Sequence, residues 1–315
     1  MVGTSSTLSG REGGPDTTSL NRDLSERWIM RIALIGAAGQ LGTDLHRSLA
    51  GEVIPLTHSE VEVTQPASVE AMLDRVQPDM VVNTAAYNLV DKAETEVDAA
   101  MAANAYGPRS LAIACAKRQI ALTHISTDFV FGLDAATTPR RESDPPGPQS
   151  VYASSKLLGE YFVRAYCPRH FVIRTCGLYG QAATKSKGNF VKTMLKLGRE
   201  KPLLRVVGDQ QCVPSYTRDV AEAIAALLQT NQYGLYHAIN SGDSSWFEVA
   251  REALRLAAIA TPIEAITTAE FGAPAMRPSY SILDCTKLAE VIGRPLRHWK
   301  EALAAYLREI GEIAP

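Results

Sequence analysis

The stretch IALIGAAGQLG, from Ile32 to Gly42, is an apolar run that breaks into glycines spaced G-x-x-G-x-x-G and then opens a helical pattern. Each glycine has a physical task. Gly36 permits a sharp turn, Gly39 lets the backbone approach a pyrophosphate, and Gly42 lets a helix pack close against the preceding strand. The first turn of that helix offers unpaired N–H donors to an anion. With 22 glycines in 315 residues, this triple spacing arises by chance about 0.1 times per chain. The stretch predicts the strand, turn and helix of a dinucleotide site, placed at the first strand of its domain.

Outward from this point, short apolar runs alternate with helical periodicity. Strand-like runs cover 31–35, 53–56, 80–83, 121–126, 171–174, 204–207 and 235–239. Between them, Leu41, Leu45 and Leu49, and then Val69, Met72, Leu73 and Val76, recur at helix spacing. Continuous apolar strands alternating with helices predict an α/β fold, a Rossmann-type doubly wound parallel sheet covered on both faces. Beyond about residue 175 the pattern loosens into Gly-, Asn- and Pro-rich loops with a short helix over 219–229. The tail from Glu264 reads as mostly helical. The expected division is a disordered arm over 1–29, a nucleotide-binding domain over 30–175, and a smaller C-terminal substrate-binding part over 176–315, some of whose segments return to the core. Met30 stands directly before the first strand and is a candidate for the biological start.

Composition narrows the function class. Hydrophobic residues make up 46% and charged residues 21%, and the formal charge is −2. That is ordinary globular composition without the basic footprint of a nucleic-acid or acidic-membrane binder. No apolar run approaches the ~18 residues of a membrane span. Five scattered cysteines make neither a disulfide framework nor a Cys-x-x-Cys pair, and read as reduced thiols in a cytoplasm. The six histidines show no metal-ligand spacing.

Three side chains carry chemistry. Tyr152 and Lys156 stand four apart at the head of a helical run reaching about Tyr166, on one helix face. An ammonium beside a phenol stabilises the phenolate and so lowers the phenol's pKa from ~10 toward the range of a general acid/base. The third is Thr127, in a strand ending Ser126-Thr127-Asp128, where the carboxyl ends of parallel strands face the ligand crevice. A hydroxyl there polarises and positions a carbonyl. For the cofactor, strand two ends in Thr57-His58-Ser59 without a carboxylate. This leaves two readings, acceptance of a 2′-phosphate with a mild preference for NADPH, or a solvated loop.

Taken in order, these motifs resemble the extended short-chain dehydrogenase/reductase superfamily, and within it the dTDP-4-dehydrorhamnose reductase family. The finer resemblance rests on GAAGQLG (36–42), NTAAYNLVDKAE (83–94), STDFVF (126–131), GNFVKTML (188–195), PSYT (214–217), GLYH (234–237) and Arg277-Pro278, spread over about 30–308. It implies reduction of a 4-keto-6-deoxy sugar nucleotide to dTDP-L-rhamnose, with NADPH preferred, NADH admitted, and a magnesium dependence for which the sequence shows no ligand cluster. It implies that Thr127, Tyr152 and Lys156 are catalytic and that Asp128 lies beside the sugar. Gly39, Gln40 and Leu41 would meet the cofactor phosphates, Glu62 and Val63 would border the adenine, and Ala85, Ala86 and Tyr87 would line the cofactor cleft. Asn189, Phe190 and Arg277 would hold the dTDP part, Arg277 through a planar fork suited to a diphosphate, unless it serves a surface ion pair.

The chain departs from the family pattern at two positions. Phe129 stands where a tyrosine is usual, and Gly177 stands where a tryptophan often follows Arg-Thr-Ser. A stacking wall beside the sugar is thus missing unless Phe129, Tyr179 or Tyr216 substitutes. Trp246, after Ser244-Ser245, reads as a capped helix start and core anchor. Alternative functions are another sugar-nucleotide 4-reductase or epimerase, or a non-catalytic NAD(P)-binding regulator resembling the methionine adenosyltransferase beta subunit. A 4,6-dehydratase is disfavoured by Phe129.

Overall fold

The computed structural model describes Gly3 and residues 29–133, 136–182 and 188–314. The arm expected over 1–29 lies outside the described residues apart from Gly3 and Ile29. Short runs of β-branched and apolar residues bounded by turns form eight strands: β1 (Arg31–Ile35), β2 (Glu52–Leu56), β3 (Met80–Asn83), β4 (Ala121–Thr127), β5 (His170–Thr175), β6 (Leu204–Val207), β7 (Gly234–His237) and β8 (Ile263–Ile266). Six of them make one sheet in the order β2-β1-β3-β4-β5-β7, with every neighbouring pair parallel. After β2 the chain crosses to the other side of β1, so the sheet has its switch point between β1 and β3. In open parallel sheets a crevice opens there, at the carboxyl ends of the strands.

The period-2 alternation of the strands divides the core into two layers. Ile32, Leu34, Val82, Phe171 and Ile173 pack against helices Gln40–Ser48 and Thr217–Leu228. Ala33, Ile35, Val81, Leu122 and Val172 point the other way, onto helices Pro66–Val76 and Gly107–Lys117. A third cluster lies under the C-terminal helices Phe190–Glu200, Trp246–Leu256 and Trp299–Glu309, around Tyr179, Tyr216 and Tyr306.

Helix Val151–Tyr166 starts at Ser150, whose hydroxyl accepts from the N–H of Ala153. It lies close over a π-helical turn, Ala102–Tyr106. A Cβ on Gly159 would come within 2.2 Å of the Asn104 carbonyl, so glycine is what permits the approach. Asn104 ties the layers together: its amide exchanges two 2.9 Å bonds with the backbone of Tyr87 and donates to Ser155 at 3.0 Å.

Four readings of the sequence need correction. The run at 204–207 is not a strand of the main sheet; β6 pairs with β8 in a separate two-stranded sheet. The tail read as helical from Glu264 therefore opens with a strand. Its sequence, IEAI, is four residues long and half exposed, too short for period 2 to stand out. Helix Phe190–Glu200 occupies a stretch read as loop. Its signal was Asn189, which caps it by accepting from the N–H of Lys192. The last strand of the main sheet stops at His237 rather than at Ile239.

Candidate active site

Gly36 turns the chain at the end of β1 with φ of +79°, and a Cβ there would lie 2.5 Å from Oγ1 of Thr84. A Cβ on Gly42 would lie 2.2 Å from the Gly36 carbonyl oxygen. No side chain fits at either place, so the strand end, the turn and helix Gln40–Ser48 close into a bare backbone cradle. No side chain caps the N-terminus of that helix at Gly39, which leaves its N–H groups for an anion. The Gln40 side chain faces away from this task. Its Oε1 accepts from the N–H of Gly180 (3.0 Å) and from the Asn189 amide (3.2 Å), binding the cradle to the C-terminal part.

The cradle opens onto a cleft of about 430 Å³ lined by Gly39, Gln40, Leu41, Gly42 and Ala86 on one side and Thr127, Asp128, Tyr152, Lys156, Gly177 and Arg277 on the other. The β4–β5 register sets Thr127 beside Thr175 at the carboxyl edge of the sheet. The Thr127 hydroxyl donates to Asp128 at 3.1 Å and lies in hydrogen-bonding contact with the Tyr152 phenol. Thr175 lines the same cleft, and its buried hydroxyl has no hydrogen-bond partner among the described residues. A buried hydroxyl left unpaired is costly, and here it points to a ligand group. The cradle and this hydroxyl together fit a dinucleotide.

Beneath the cleft, Lys156 donates from Nζ to the Ile125 carbonyl at 2.5 Å. One turn on, Glu160 meets Arg174 through Oε1–Nε at 2.9 Å and Oε2–Nη2 at 2.8 Å, both side chains wholly buried. Ser126 adds a bond to the same carboxylate at 2.5 Å.

Burial dominates the titration of this site. It brings Lys156 down to about 8, with Glu160 pulling the other way. It pushes the Tyr152 phenol up to about 12, opposed by the Thr127 hydrogen bond and aided by Asp128 and Cys176. This corrects the expectation of a lowered phenol: Lys156 directs its hydrogen bond to the Ile125 carbonyl, and desolvation governs the phenol instead. Burial also lifts Asp128 to about 6, against hydrogen bonds from Ser281 (2.6 Å), Cys176 and Thr127.

Other residues singled out in the sequence lie elsewhere. Asn189 does not line the described cleft; its amide donates to Tyr306 (2.8 Å) and to the Gly180 carbonyl (3.1 Å). Phe190 stands one layer back, edge-on against Trp246. Ala85 packs against a core layer. Tyr87 bonds Glu96, which raises its phenol to about 12. Val63 is buried, and Glu62 accepts from Thr64 and pairs with His58 at 3.1 Å. Arg277 reaches the cleft while forming a two-pronged pair with Asp91, at 3.0 and 2.9 Å.

The end of β2 also differs from its reading. Glu60 folds back so that its carboxylate accepts from the N–H (2.8 Å) and hydroxyl (2.9 Å) of Thr57. A carboxylate does stand there, brought by a turn rather than by position in the strand. Among the described residues no group of three or more His, Cys, Asp or Glu is arranged to hold a metal ion, so the magnesium implied by the family resemblance finds no fitting ligand set. No described helix is long and apolar enough to cross a membrane. A wider hollow of about 1110 Å³ between Arg141, Asp284 and Arg294 holds none of the three reactive side chains.

Comparison with known proteins places this geometry. The family model described as the RmlD substrate binding domain matches residues 30–311. The spore coat polysaccharide biosynthesis protein SpsK of Bacillus subtilis is 42% identical over 284 residues, 89% of this chain and 98% of that protein. The dTDP-4-dehydrorhamnose reductase of Mycobacterium tuberculosis is 39% identical over 285 residues, 88% of this chain and 92% of that one. Among solved structures, dTDP-4-dehydrorhamnose reductase from Bacillus anthracis in complex with NADP superimposes with a TM-score of 0.84 at 35% identity, covering 89% of this chain and 99% of that one.

Proposed function

The chain belongs to the family of the RmlD substrate binding domain, and from that premise we propose that it reduces the C4 ketone of dTDP-4-dehydro-L-rhamnose with NADPH, giving dTDP-L-rhamnose. One observation carries the reading: the glycine cradle and Thr127, Tyr152 and Lys156 open onto a single cleft at the carboxyl edge of the sheet. When bound, the reduced nicotinamide supplies a hydride to carbon 4. Tyr152, which its buried position keeps protonated, donates the phenolic proton to the oxygen of that carbon as negative charge develops there. The hydride and this proton complete the C–H and O–H bonds of the alcohol, and the phenolate regains its proton from solvent. Thr127 holds the same oxygen in place from the rigid end of β4. Lys156 is charged below about pH 8; it sets a positive charge one turn below the phenol, easing loss of the proton, and offers donors to the ribose hydroxyls.

Around this centre, the N-terminus of helix Gln40–Ser48 would take the pyrophosphate, with Glu62 and Val63 bordering the adenine. Arg277 would turn its fork from Asp91 to the dTDP diphosphate. Residues 30–175 would carry the cofactor and 176–315 most of the sugar-nucleotide contacts. NADH is admitted by the same cleft, since Glu60 already engages Thr57 where a 2′-phosphate would sit. A second reading, reduction of a different dTDP-4-keto-6-deoxyhexose, is favoured by Phe129, which lines the cleft edge-on to Tyr152 and carries no hydroxyl.

The test is loss of reduced-nicotinamide absorbance with dTDP-4-keto-6-deoxyglucose supplied together with its 3,5-epimerase, the product being identified by chromatography. The Tyr152→Phe variant is expected to lose roughly 10²–10⁴-fold in kcat while binding NADPH as before. An unchanged kcat removes Tyr152 from the mechanism.

A further inference from the structure

Gly177 follows β5 with φ of +45°. A Cβ built there would lie 2.8 Å from Cη2 of Trp246 and 3.1 Å from Cα and Cβ of Pro214. The tip of the indole thus takes the volume that any side chain at 177 would need. Trp246 opens helix Trp246–Leu256, capped by Ser245, which accepts from the N–H of Glu248. The preceding Ser244 donates to the Cys212 carbonyl at 2.7 Å, fixing the entry to that helix. Phe190 meets the indole edge-to-face with ring centroids 4.6 Å apart. The ring is therefore held from behind, yet only half-buried, and its free part lines the cleft that holds Thr127 and Tyr152.

The remaining walls near Tyr152 carry the Thr127 and Thr175 hydroxyls and the Asp128 carboxyl, with Phe129 on the other side of the phenol, edge-on to it. A 6-deoxyhexose has hydroxyls around most of its ring and one apolar corner, the C5–H and the C6 methyl. A rigid indole complements that corner at little entropic cost. A hydroxymethyl group in its place would press an unpaired hydroxyl against the ring. We propose that Trp246, admitted to the cleft by Gly177, is the specificity-determining wall for the apolar C5–C6 edge of the deoxy-sugar. This rests on the reading above that a dTDP-deoxyhexose occupies the cleft.

The experiment compares wild type, Trp246→Phe and Trp246→Ala. Trp246→Ala raises KM for dTDP-4-dehydro-L-rhamnose at least about tenfold, equivalent to ~1.4 kcal/mol, while kcat moves less than the KM and the Kd for NADPH stays put. Trp246→Phe, which keeps an aromatic wall, stays within about threefold of wild type in KM. Fluorescence supplies a readout that a merely structural role would not move. The chain has three tryptophans, Trp28, Trp246 and Trp299, and dTDP-L-rhamnose, but not dTDP alone, quenches an emission that is absent in Trp246→Phe. An unchanged KM in Trp246→Ala, or full quenching in Trp246→Phe, overturns the proposal. A wild type that turns over no dTDP-4-dehydro-L-rhamnose overturns the functional reading instead, and this one with it.

Discussion

Replacing Glu160 with Gln will have two separable effects. Glu160 and Arg174 are side chains with 0% and 1% exposure joined by two bonds near 2.9 Å. Gln keeps the shape and removes the charge, so the guanidinium is left buried without a counter-ion. Breaking one partner of such a pair costs about 3–5 kcal/mol. At ~2–4 °C per kcal/mol for a domain of this size, Tm falls on the order of 10 °C. The second effect acts on Lys156, one turn earlier, whose ammonium the carboxylate supports against burial. With folded pKa near 8 against 10.5 unfolded, the charged form is complete only well below pH 8, is half lost there, and disappears as pH rises further. Activity that needs this charge therefore has an alkaline limb near pH 8 in kcat/KM for NADPH, which reports the free enzyme. Residues four apart on a helix lie ~5–6 Å apart at Cβ, where an effective dielectric of about 20 gives a few kcal/mol. That attraction is lost while the Arg174 charge stays, so the limb moves down by about one to two units. A double variant, Glu160→Gln with Arg174→Met, leaves no orphaned charge, recovers most of the Tm, and returns the limb part of the way, because a cation that repelled Lys156 is gone with its partner. Differential scanning fluorimetry and a pH–rate profile read the two effects independently. A Glu160→Gln protein that melts within about 2 °C of wild type and has the same limb would refute the reasoning.

Gly42→Ala puts a methyl 2.2 Å from the Gly36 carbonyl; the Kd for NADPH measured by calorimetry should rise by about tenfold or more, and an unchanged Kd would remove the cradle from binding. Ser281→Ala removes the 2.6 Å bond that holds the Asp128 carboxyl down against burial. An ionised Asp128 beside the sugar implies an acid limb near pH 6, and this variant should move it up by about one unit; a stationary limb would assign it to another group. Glu60→Ala frees the Thr57 hydroxyl and N–H and takes away a negative charge. The ratio of kcat/KM for NADPH over NADH should then rise roughly three- to tenfold, and an unmoved ratio would separate Glu60 from cofactor choice.

The parts of the molecule legible in the sequence are those whose cause is local. A turn that must approach a phosphate needs glycines at fixed offsets, and a strand that must end at the crevice shows its apolar run and then its hydroxyls, as β4 does before Thr127. Tyr152 and Lys156 stand at helix spacing, and the helix is there. Where a second segment decides the outcome, the same reasoning falls short. Spacing predicts a low phenol because a lysine stands four residues on; it is pushed up because the walls of the cleft desolvate it, a quantity no spacing contains. Glu60 lies outside the strand it serves, and only the turn between them brings its carboxylate back to Thr57.

Asn189 and Gly177 each meet a structural demand that their motifs alone do not show. Asn189 sits in a motif that the family resemblance assigns to the substrate, yet it answers a demand made by the fold. The helix after it needs a cap, and a buried amide with several hydrogen-bonding positions is held by Tyr306, Gly180 and Gln40 from three other segments. Gly177 reads as a side chain removed from the sugar's wall. Yet its positive φ and the 2.8 Å approach of the indole make it the condition for a wall delivered by another helix. A glycine records only that something must come close or turn sharply; which of the two holds, and what comes close, is set by packing between distant segments. At this site both hold at once, and so the change at 177 has to be read together with Trp246 rather than position by position.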